Sequence, residues 1–181
     1  MDIYKLKFTR LQIEIFKLLC IKAGEKLNKR QISKLLKVSP TAIAKSLPLL
    51  EKENLVKIIK NKGINFTSIE LNRDNQKTML LKRVENLGFI YKSGLMECLE
   101  NKFPGGTIIL FGSYSRGDDT TTSDIDIAII GRKDKEVNLT NYEKELQREI
   151  RINFYPSFKE IHKHLKENIF NGIVIAGGIN L

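Results

Sequence analysis

The chain has 181 residues, of which 41% are hydrophobic and 29% charged, and this balance excludes wholesale disorder. The sequence has no apolar run near the ~18 residues of a membrane-spanning helix, and its N-terminus lacks a signal-peptide core. Cys20 and Cys98 form neither a disulfide framework nor a zinc pattern. We therefore expect a cytoplasmic protein without a membrane partner.

The net charge of +10 is concentrated in the first part of the chain. Residues 1–71 hold 15 basic and 6 acidic side chains, whereas residues 72–181 hold 16 and 15. An excess of cations indicates a polyanionic partner. The split predicts two modules with different partners. A general lysine-rich composition would explain many lysines, but not why they are unbalanced only before residue 72.

Three short helices are predicted within the first 52 residues. Apolar side chains at helical spacing predict a first helix that ends at Gly24. Asn28 is the predicted N-cap of the second helix, and Ser39 that of the third, with Pro40 in its first position. Pro48 predicts a kink near the last turn of the third helix, because it removes an intrahelical hydrogen bond.

Two strands around a turn at residues 61–63 complete this part of the pattern. The order resembles the winged helix-turn-helix family, most closely from Leu27 to Val56. The resemblance implies that residues 1–71 bind duplex DNA, with a recognition helix from Ser39 to Leu50 and a wing tip from Lys60 to Gly63. Side chains expected at base edges or phosphates are Ser39, Thr41, Ala42, Lys45, Lys57, Lys60 and Lys62. A winged helix that contacts only protein is the alternative.

Residues 72–102 predict a connecting helix, broken near Gly88. We expect this segment to pack against the rest of the chain or to form a homodimer contact, rather than to hold a ligand. The side chains spaced for one buried face are Leu80, Leu81, Val84, Leu87, Ile90, Leu95, Met96 and Leu99.

The candidate chemistry begins at an apolar run, residues 107–111, that is typical of a strand buried on both faces. This run leads into Gly112 and Ser113, where close backbone approach and free N–H groups favour phosphate. Asp124 and Asp126 are two apart on a second predicted strand, so both carboxylates leave one face with Cα atoms about 6.5 Å apart. Such a pair repels unless a cation bridges it or one carboxylate takes up a proton, and oxygen ligands suit Mg²⁺ or Mn²⁺.

The combination of Phe111-Gly112-Ser113, ten further residues and Asp124-Ile125-Asp126 resembles the nucleotidyltransferase superfamily with a DNA polymerase beta-like core. The string GSYSRGDDTTTSDIDIAI is similar to the minimal nucleotidyltransferases. The resemblance implies an α/β fold, with an α+β core and a mixed sheet, over residues 103–181. It also implies nucleotide contacts from Gly112, Ser113 and Arg116 and metal ligation by Asp124 and Asp126.

The family's third carboxylate lies on a later strand, where this chain has Asn153 between Ile152 and Phe154. Asparagine can ligate a metal through its carbonyl but adds no negative charge. Glu149 shares that strand face about 13 Å away, so only one of the two side chains reaches the aspartates. We take Asn153 as the third catalytic position.

The function predicted from these resemblances is transfer of a nucleoside monophosphate, from ATP or another triphosphate, to an unknown protein or RNA acceptor. The alternative is a DNA-binding regulator whose nucleotidyltransferase domain senses nucleotide or mediates assembly. A third hypothesis is a toxin–antitoxin component that modifies a partner protein with AMP.

Overall fold

The computed structural model describes residues 7–61 and 66–179 and divides the chain into two compact units. The division falls between Lys82 and Arg83. The first unit contains three helices and a hairpin, and the second contains a four-stranded sheet with helices. No helix within the described residues is long and apolar enough to cross a membrane.

The N-terminal unit is built from three helices and an antiparallel hairpin. The elements are α1 (Arg10–Ile21), α2 (Lys29–Leu36), α3 (Pro40–Lys52), β1 (Val56–Asn61) and β2 (Phe66–Leu71). A bridge between Leu27 and Ile69 adds a one-residue third strand, with N–H···O distances of 3.0 and 2.7 Å. This arrangement confirms the predicted winged helix-turn-helix fold.

Polar side chains determine where the helices of this unit begin. Asn28 accepts a hydrogen bond from the N–H of Gln31 at 2.9 Å, and Gln31 accepts one from the N–H of Asn28 at 2.7 Å. Ser39 accepts from the N–H of Ala42 at 3.1 Å, and Pro40 is the first helical residue. Caps of this kind stabilise a helix by about 1 kcal/mol each. Both predicted helix starts are confirmed.

One face of α3 is buried and the opposite face is left to solvent. Ile43, Leu47 and Leu50 are at most 1% exposed, and their spacing places them on one face of the helix. Pro48 lies inside α3 without ending it. The core against which α3 packs also contains Ile15, Leu19, Cys20, Ile32, Leu55 and Ile69.

The segment from residue 72 to residue 102 differs from the connecting helix that we predicted in the position of its break. It forms two helices, α4 (Gln76–Lys92) and α5 (Leu95–Lys102). The break is at Gly94, whose φ of 74° is a left-handed conformation that favours glycine. Gly88 lies inside α4, so the predicted position of the break was wrong.

The buried face of α4 is largely polar, although we predicted an apolar one. Leu80, Leu81 and Val84 are 54%, 36% and 66% exposed. The buried side chains recur every four residues and are Thr78, Lys82, Asn86 and Ile90. Of the other predicted positions, Ile90, Leu95, Met96 and Leu99 are buried as expected, and Leu87 is partly buried against the same cluster. A polar side chain tolerates burial when its hydrogen bonds are satisfied, so apolar spacing alone wrongly selected Leu80, Leu81 and Val84.

The C-terminal unit is organised around a mixed sheet, which confirms the predicted fold class. Its elements after α5 are β3 (Thr107–Phe111), α6 (Gly112–Arg116), β4 (Ile125–Ile130), α7 (Thr140–Leu146), β5 (Ile150–Tyr155), α8 (Lys163–Phe170) and β6 (Ile173–Ala176). The strand order is β5-β4-β3-β6. Strand β3 runs antiparallel to both neighbours, whereas β4 and β5 are parallel.

Both faces of the central strands are covered. All of β3 is buried, as its apolar sequence predicted. Ile108 and Leu110 pack in a cluster with α5, and Ile109 and Phe111 pack in a second cluster with Ile169 of α8. Strand alternation places the side chain of Asp126 on the face of the second cluster, near the start of β4.

Candidate functional site

Gly112 brings the end of β3 against a carboxylate of β4. Phe111 pairs with Asp126 across the two strands, and Gly112 follows with a φ of 74°. A Cβ at Gly112 would lie 2.4 Å from Oδ2 of Asp126. Glycine is required on two counts, because other residues rarely adopt this φ and because any side chain would collide with the carboxylate. The Gly-Ser turn and the Asp-x-Asp strand therefore meet as one site.

The two aspartates repel one another. Burial raises the pKa of Asp126 above its ordinary value, and the nearby charge of Asp124 raises it further. Arg151 and Arg116 lower the same pKa by smaller amounts. Asp124 has a direct counter-ion, since its Oδ2 lies 2.9 Å from Nη1 of Arg151. The site therefore contains more negative than positive charge around a partly buried carboxyl group.

Arg151 is a site residue that the sequence analysis missed. The parallel register of β4 and β5 places Arg151 beside Asp126 and Asn153 beside Ala128. Asn153 shares the face of Asp126 but lies one pleat, about 6.6 Å, further along the sheet. The alternation of residues on β5 was visible in the sequence, but the register that selects Arg151 depends on the pairing of two distant segments.

Glu149 lies on the other side of Arg151. Its Oε1 accepts a hydrogen bond from Nε of Arg151 at 3.1 Å, and its backbone carbonyl accepts one from the N–H of Ile125 at 2.8 Å. The hydrogen bond to the Glu149 side chain, together with the charge of Asp124, raises the pKa of Arg151 above its ordinary value. Arg151 is thus held between two carboxylates although its side chain is 57% exposed.

The other predicted nucleotide contacts, Ser113 and Arg116, lie on the short helix α6, directly after Gly112. Arg116 is exposed, and its Nε lies 3.3 Å from Oδ2 of Asp118. Because the charge of Arg116 lowers the pKa of Asp126, the guanidinium acts within electrostatic range of the aspartates. The structure thus brings Gly112, Arg116 and both aspartates into one neighbourhood.

A buried polar network supports the loop that follows α6. Asp119 is fully buried and accepts a hydrogen bond from the side-chain amide of Asn86 at 2.7 Å. The same amide donates to the backbone carbonyl of Tyr114 at 2.9 Å. Nη2 of Arg148 lies 3.4 Å from Oδ2 of Asp119. These contacts tie the loop after α6 to α4 and to the residue range that leads into β5.

An open pocket of about 570 Å³ adjoins Asp124. Its walls combine hydroxyl, carboxylate and basic side chains from the loop before β4 and from α7. The lining residues are Thr121, Thr122, Ser123, Asp124, Thr140, Glu143, Lys144, Gln147, Arg148 and Glu149. The pocket is large enough for a polar group to approach Asp124 from this side.

The carboxylates of the site are candidate ligands for a divalent cation. Within residues 7–61 and 66–179, no three or more His, Cys, Asp or Glu side chains are grouped to hold a metal. Asp124 and Asp126 offer two carboxylates, and Mg²⁺ is commonly bound by one or two carboxylates together with substrate phosphates. Burial and then the charge of Asp124 raise the pKa of Asp126, and a bound cation would offset both effects by stabilising the ionised carboxylate.

The side chains predicted to contact DNA lie on the solvent side of the N-terminal unit. Ser39, Thr41 and Lys45 are exposed at the start of α3, and Ala42 is half-buried. Lys60 is exposed on β1. Lys62 and Gly63, the second half of the predicted wing tip, lie outside the described residues.

Lys57 is less available for phosphate than we predicted. Its Nζ hydrogen-bonds the carboxylate of Asp74, and this contact lowers the pKa of Asp74 below its ordinary value. Within the part of the chain that the structure describes, neither Lys45 nor Lys60 forms such an ion pair. The two unpaired lysines are therefore the better phosphate contacts.

The chain is similar to solved structures over a little more than half of its length. The sequence matches none of the curated proteins. Among solved structures, the adhesin competence repressor AdcR from Streptococcus pyogenes is 21% identical with a TM-score of 0.42, and the match covers 54% of this chain and 69% of that one. A variant of ZitR from Lactococcus lactis is 23% identical with a TM-score of 0.41, over 57% of this chain and 65% of that one.

The C-terminal unit has a family match. Residues 92–176 match the model of the family described as "Nucleotidyltransferase domain". The matched range contains the Gly-Ser turn, both aspartates and all four strands of the mixed sheet. Residues 92–176 are therefore similar to the nucleotidyltransferase domain family.

Proposed function

We propose that the C-terminal unit transfers a nucleoside monophosphate from a nucleoside triphosphate to an acceptor hydroxyl. The observation that supports this most strongly is the contact between Gly112 and Asp126. Because Gly112 has no side chain, the predicted phosphate-binding turn lies directly against the Asp126 carboxylate, whose pKa is raised.

The proposed roles follow from where each side chain lies. Gly112, Ser113 and Arg116 contact the triphosphate, with the Arg116 guanidinium countering phosphate charge. Asp124 and Asp126 hold Mg²⁺ or Mn²⁺, which when bound offsets the negative charge that develops on the reacting phosphate. The acceptor, a protein or an RNA, reaches Asp124 through the adjoining pocket. ATP is the first nucleotide to test.

Titration calorimetry with a non-hydrolysable ATP analogue and Mg²⁺ tests this site. Asp126→Asn should weaken Mg²⁺-dependent binding by at least about tenfold, since a carboxylate ligand to the cation is lost. Asp134→Asn removes an exposed carboxylate outside the site and serves as the matched control. Equal affinity of the wild type and Asp126→Asn would contradict the proposed role of Asp126.

We also propose that the N-terminal unit binds duplex DNA through the exposed start of α3 and through β1. Thr41 and Lys45 are one helical turn apart on the face of α3 opposite its buried side chains. Lys60 adds a cation on the hairpin, and residues 1–71 hold nine more basic than acidic side chains. An exposed helix face with polar and basic residues suits the major groove, and lysines on the hairpin suit the phosphates.

A second candidate function is a DNA-binding regulator whose nucleotidyltransferase domain senses nucleotide, with a toxin–antitoxin component as a special case. The observation that favours it is Arg151, because a guanidinium beside Asp126 cannot act as a general base. The sensor hypothesis predicts that ATP with Mg²⁺ changes the affinity of the full chain for DNA. An unchanged DNA affinity at saturating nucleotide favours the transferase.

A further inference from the structure

Arg151 occupies the strand position directly beside Asp126, on the same face of the sheet. Its guanidinium contacts Asp124 at 2.9 Å and Glu149 at 3.1 Å. A third carboxylate at this position would complete a site for two divalent ions, held about 3.5–4 Å apart. Here the position carries a fixed positive charge instead.

The charges of this cluster limit how many cations it accepts. Asp124, Asp126 and Glu149 face the guanidinium groups of Arg151 and Arg116, which leaves a net charge of minus one. One divalent ion already exceeds that charge. A second ion would lie beside a guanidinium and would have only the triphosphate to hold it, at a Coulombic cost that rises in a partly buried site.

We propose that the site takes a single divalent cation with its nucleoside triphosphate, and that the guanidinium of Arg151 replaces a second cation. Without metal, Arg151 pairs with Asp124. With metal and nucleotide bound, the exposed Arg151 side chain releases Asp124 and contacts a phosphate oxygen, a geometry that guanidinium groups favour. The inference rests on the proposed nucleotide site and adds its metal stoichiometry.

Electron paramagnetic resonance of Mn²⁺ counts the ions. The full chain with a non-hydrolysable triphosphate analogue should bind one Mn²⁺ and give an uncoupled spectrum. Arg151→Asp supplies the missing carboxylate and should bind two Mn²⁺ ions with spin coupling. Asn153→Asp is the register control and should still bind one, because residue 153 lies beside Ala128.

Mn²⁺ titration without nucleotide tests the competition for Asp124 and does not depend on how well Arg151→Asp folds. Arg151→Ala should bind Mn²⁺ about two- to fivefold more tightly than the wild type, since an exposed ion pair contributes up to about 1 kcal/mol. It should also bind the triphosphate analogue more weakly. Lys133→Ala removes one exposed positive charge elsewhere and should leave both affinities unchanged.

Two coupled Mn²⁺ ions in the wild type would overturn the inference and leave the proposed nucleotide site intact. Equal Mn²⁺ affinities for Arg151→Ala and Lys133→Ala would also overturn it. Absence of both Mn²⁺ and triphosphate binding from the wild type would overturn the proposed function together with this inference.

Discussion

At the scale of single residues, Asp126 is under opposing influences. Burial and the charge of Asp124 raise its pKa, whereas Arg151 and Arg116 lower it less. The folded-state pKa is therefore above the value of 3.8 for an unperturbed aspartate. A raised pKa means that folding favours the protonated form, so the Asp126 contribution to stability is complete below pH 3.8 and is lost as pH rises through the folded pKa.

Because the pKa of Asp126 is raised in the folded state, Asp126→Asn should stabilise the metal-free protein at pH 7. The substitution removes a charge that the fold disfavours, so the melting temperature should exceed that of the wild type. The difference should shrink as pH approaches 3.8, where Asp126 itself becomes neutral. Thermal melts of both proteins with EDTA across this pH range give the measurement. A variant that melts below the wild type at pH 7 would show that Asp126 is held by contacts that outweigh its repulsion.

Gly112 gives the second prediction at this scale. Gly112→Ala should destabilise the C-terminal unit by more than about 1 kcal/mol, because positive φ is strained for alanine and the new Cβ meets the Asp126 carboxylate. In an Asp126→Ala background the 2.4 Å collision with Oδ2 disappears, and the strain and a 3.3 Å contact with the Cβ of residue 126 remain. The cost of Gly112→Ala measured by urea unfolding should therefore be smaller in that background. Equal costs in both backgrounds would mean that Asp126 does not lie against Gly112.

At the scale of elements, the loop after α6 depends on a carboxylate buried against α4. Asp119→Asn should destabilise the protein by about 3 kcal/mol, because it removes the counter-charge of the buried Arg148 guanidinium. The neighbouring Asp118→Asn changes an exposed carboxylate and should cost no more than about 1 kcal/mol. Urea unfolding of the two variants tests the difference. Similar costs would show that the network does not support the loop.

The surface around α3 and β1 predicts a pattern of salt dependence. Lys45→Ala and Lys60→Ala should each reduce the slope of log K against log salt for DNA binding by about one unit, because each phosphate contact releases about one counterion. Lys57→Ala should change the slope less, since Lys57 is paired with Asp74. Fluorescence anisotropy over a salt series measures all three slopes. A larger effect at Lys57 than at the other two would place the DNA elsewhere.

An element could be predicted from the sequence when the residues that determine it are close together in the chain. The starts of α2 and α3 depend on local caps at Asn28 and Ser39, and the apolar run of β3 is itself the sign of a strand buried on both faces. The face of α4 was not predictable in this way. Asn86 is buried because Tyr114 and a carboxylate in a distant loop satisfy its amide, and no local pattern contains those partners.

The same distinction between local and long-range determinants applies to the candidate site. Gly112 and the paired aspartates are recognisable from spacing within one short stretch of chain. The neighbour of Asp126 on β5 depends on a register between segments 25 residues apart, and a shift of two residues exchanges Asn153 for Arg151. Asn153 is neutral and Arg151 is cationic, so the strand register determines the charge beside the aspartates. This charge could therefore be assigned only from the structure.

At the scale of the whole molecule, the charge division and the family match concern different parts of the chain. Residues 1–71 hold nearly all of the excess positive charge, and residues 92–176 match the nucleotidyltransferase domain family. The two proposed functions should therefore be separable by mutation. Lys45→Ala is expected to weaken DNA binding without changing nucleotide affinity, and Asp126→Asn is expected to do the reverse.

The transferase hypothesis is tested by incubating the full chain with α-³²P-labelled nucleoside triphosphates, Mg²⁺, and either total RNA or a cell protein extract. We predict that label enters an RNA or protein acceptor with release of pyrophosphate, that γ-labelled nucleotide gives no such product, and that Asp124→Asn and Asp126→Asn abolish transfer while Lys45→Ala retains it. Nucleotide binding by the wild type without label transfer to either pool, or transfer that persists in both aspartate variants, would contradict the account.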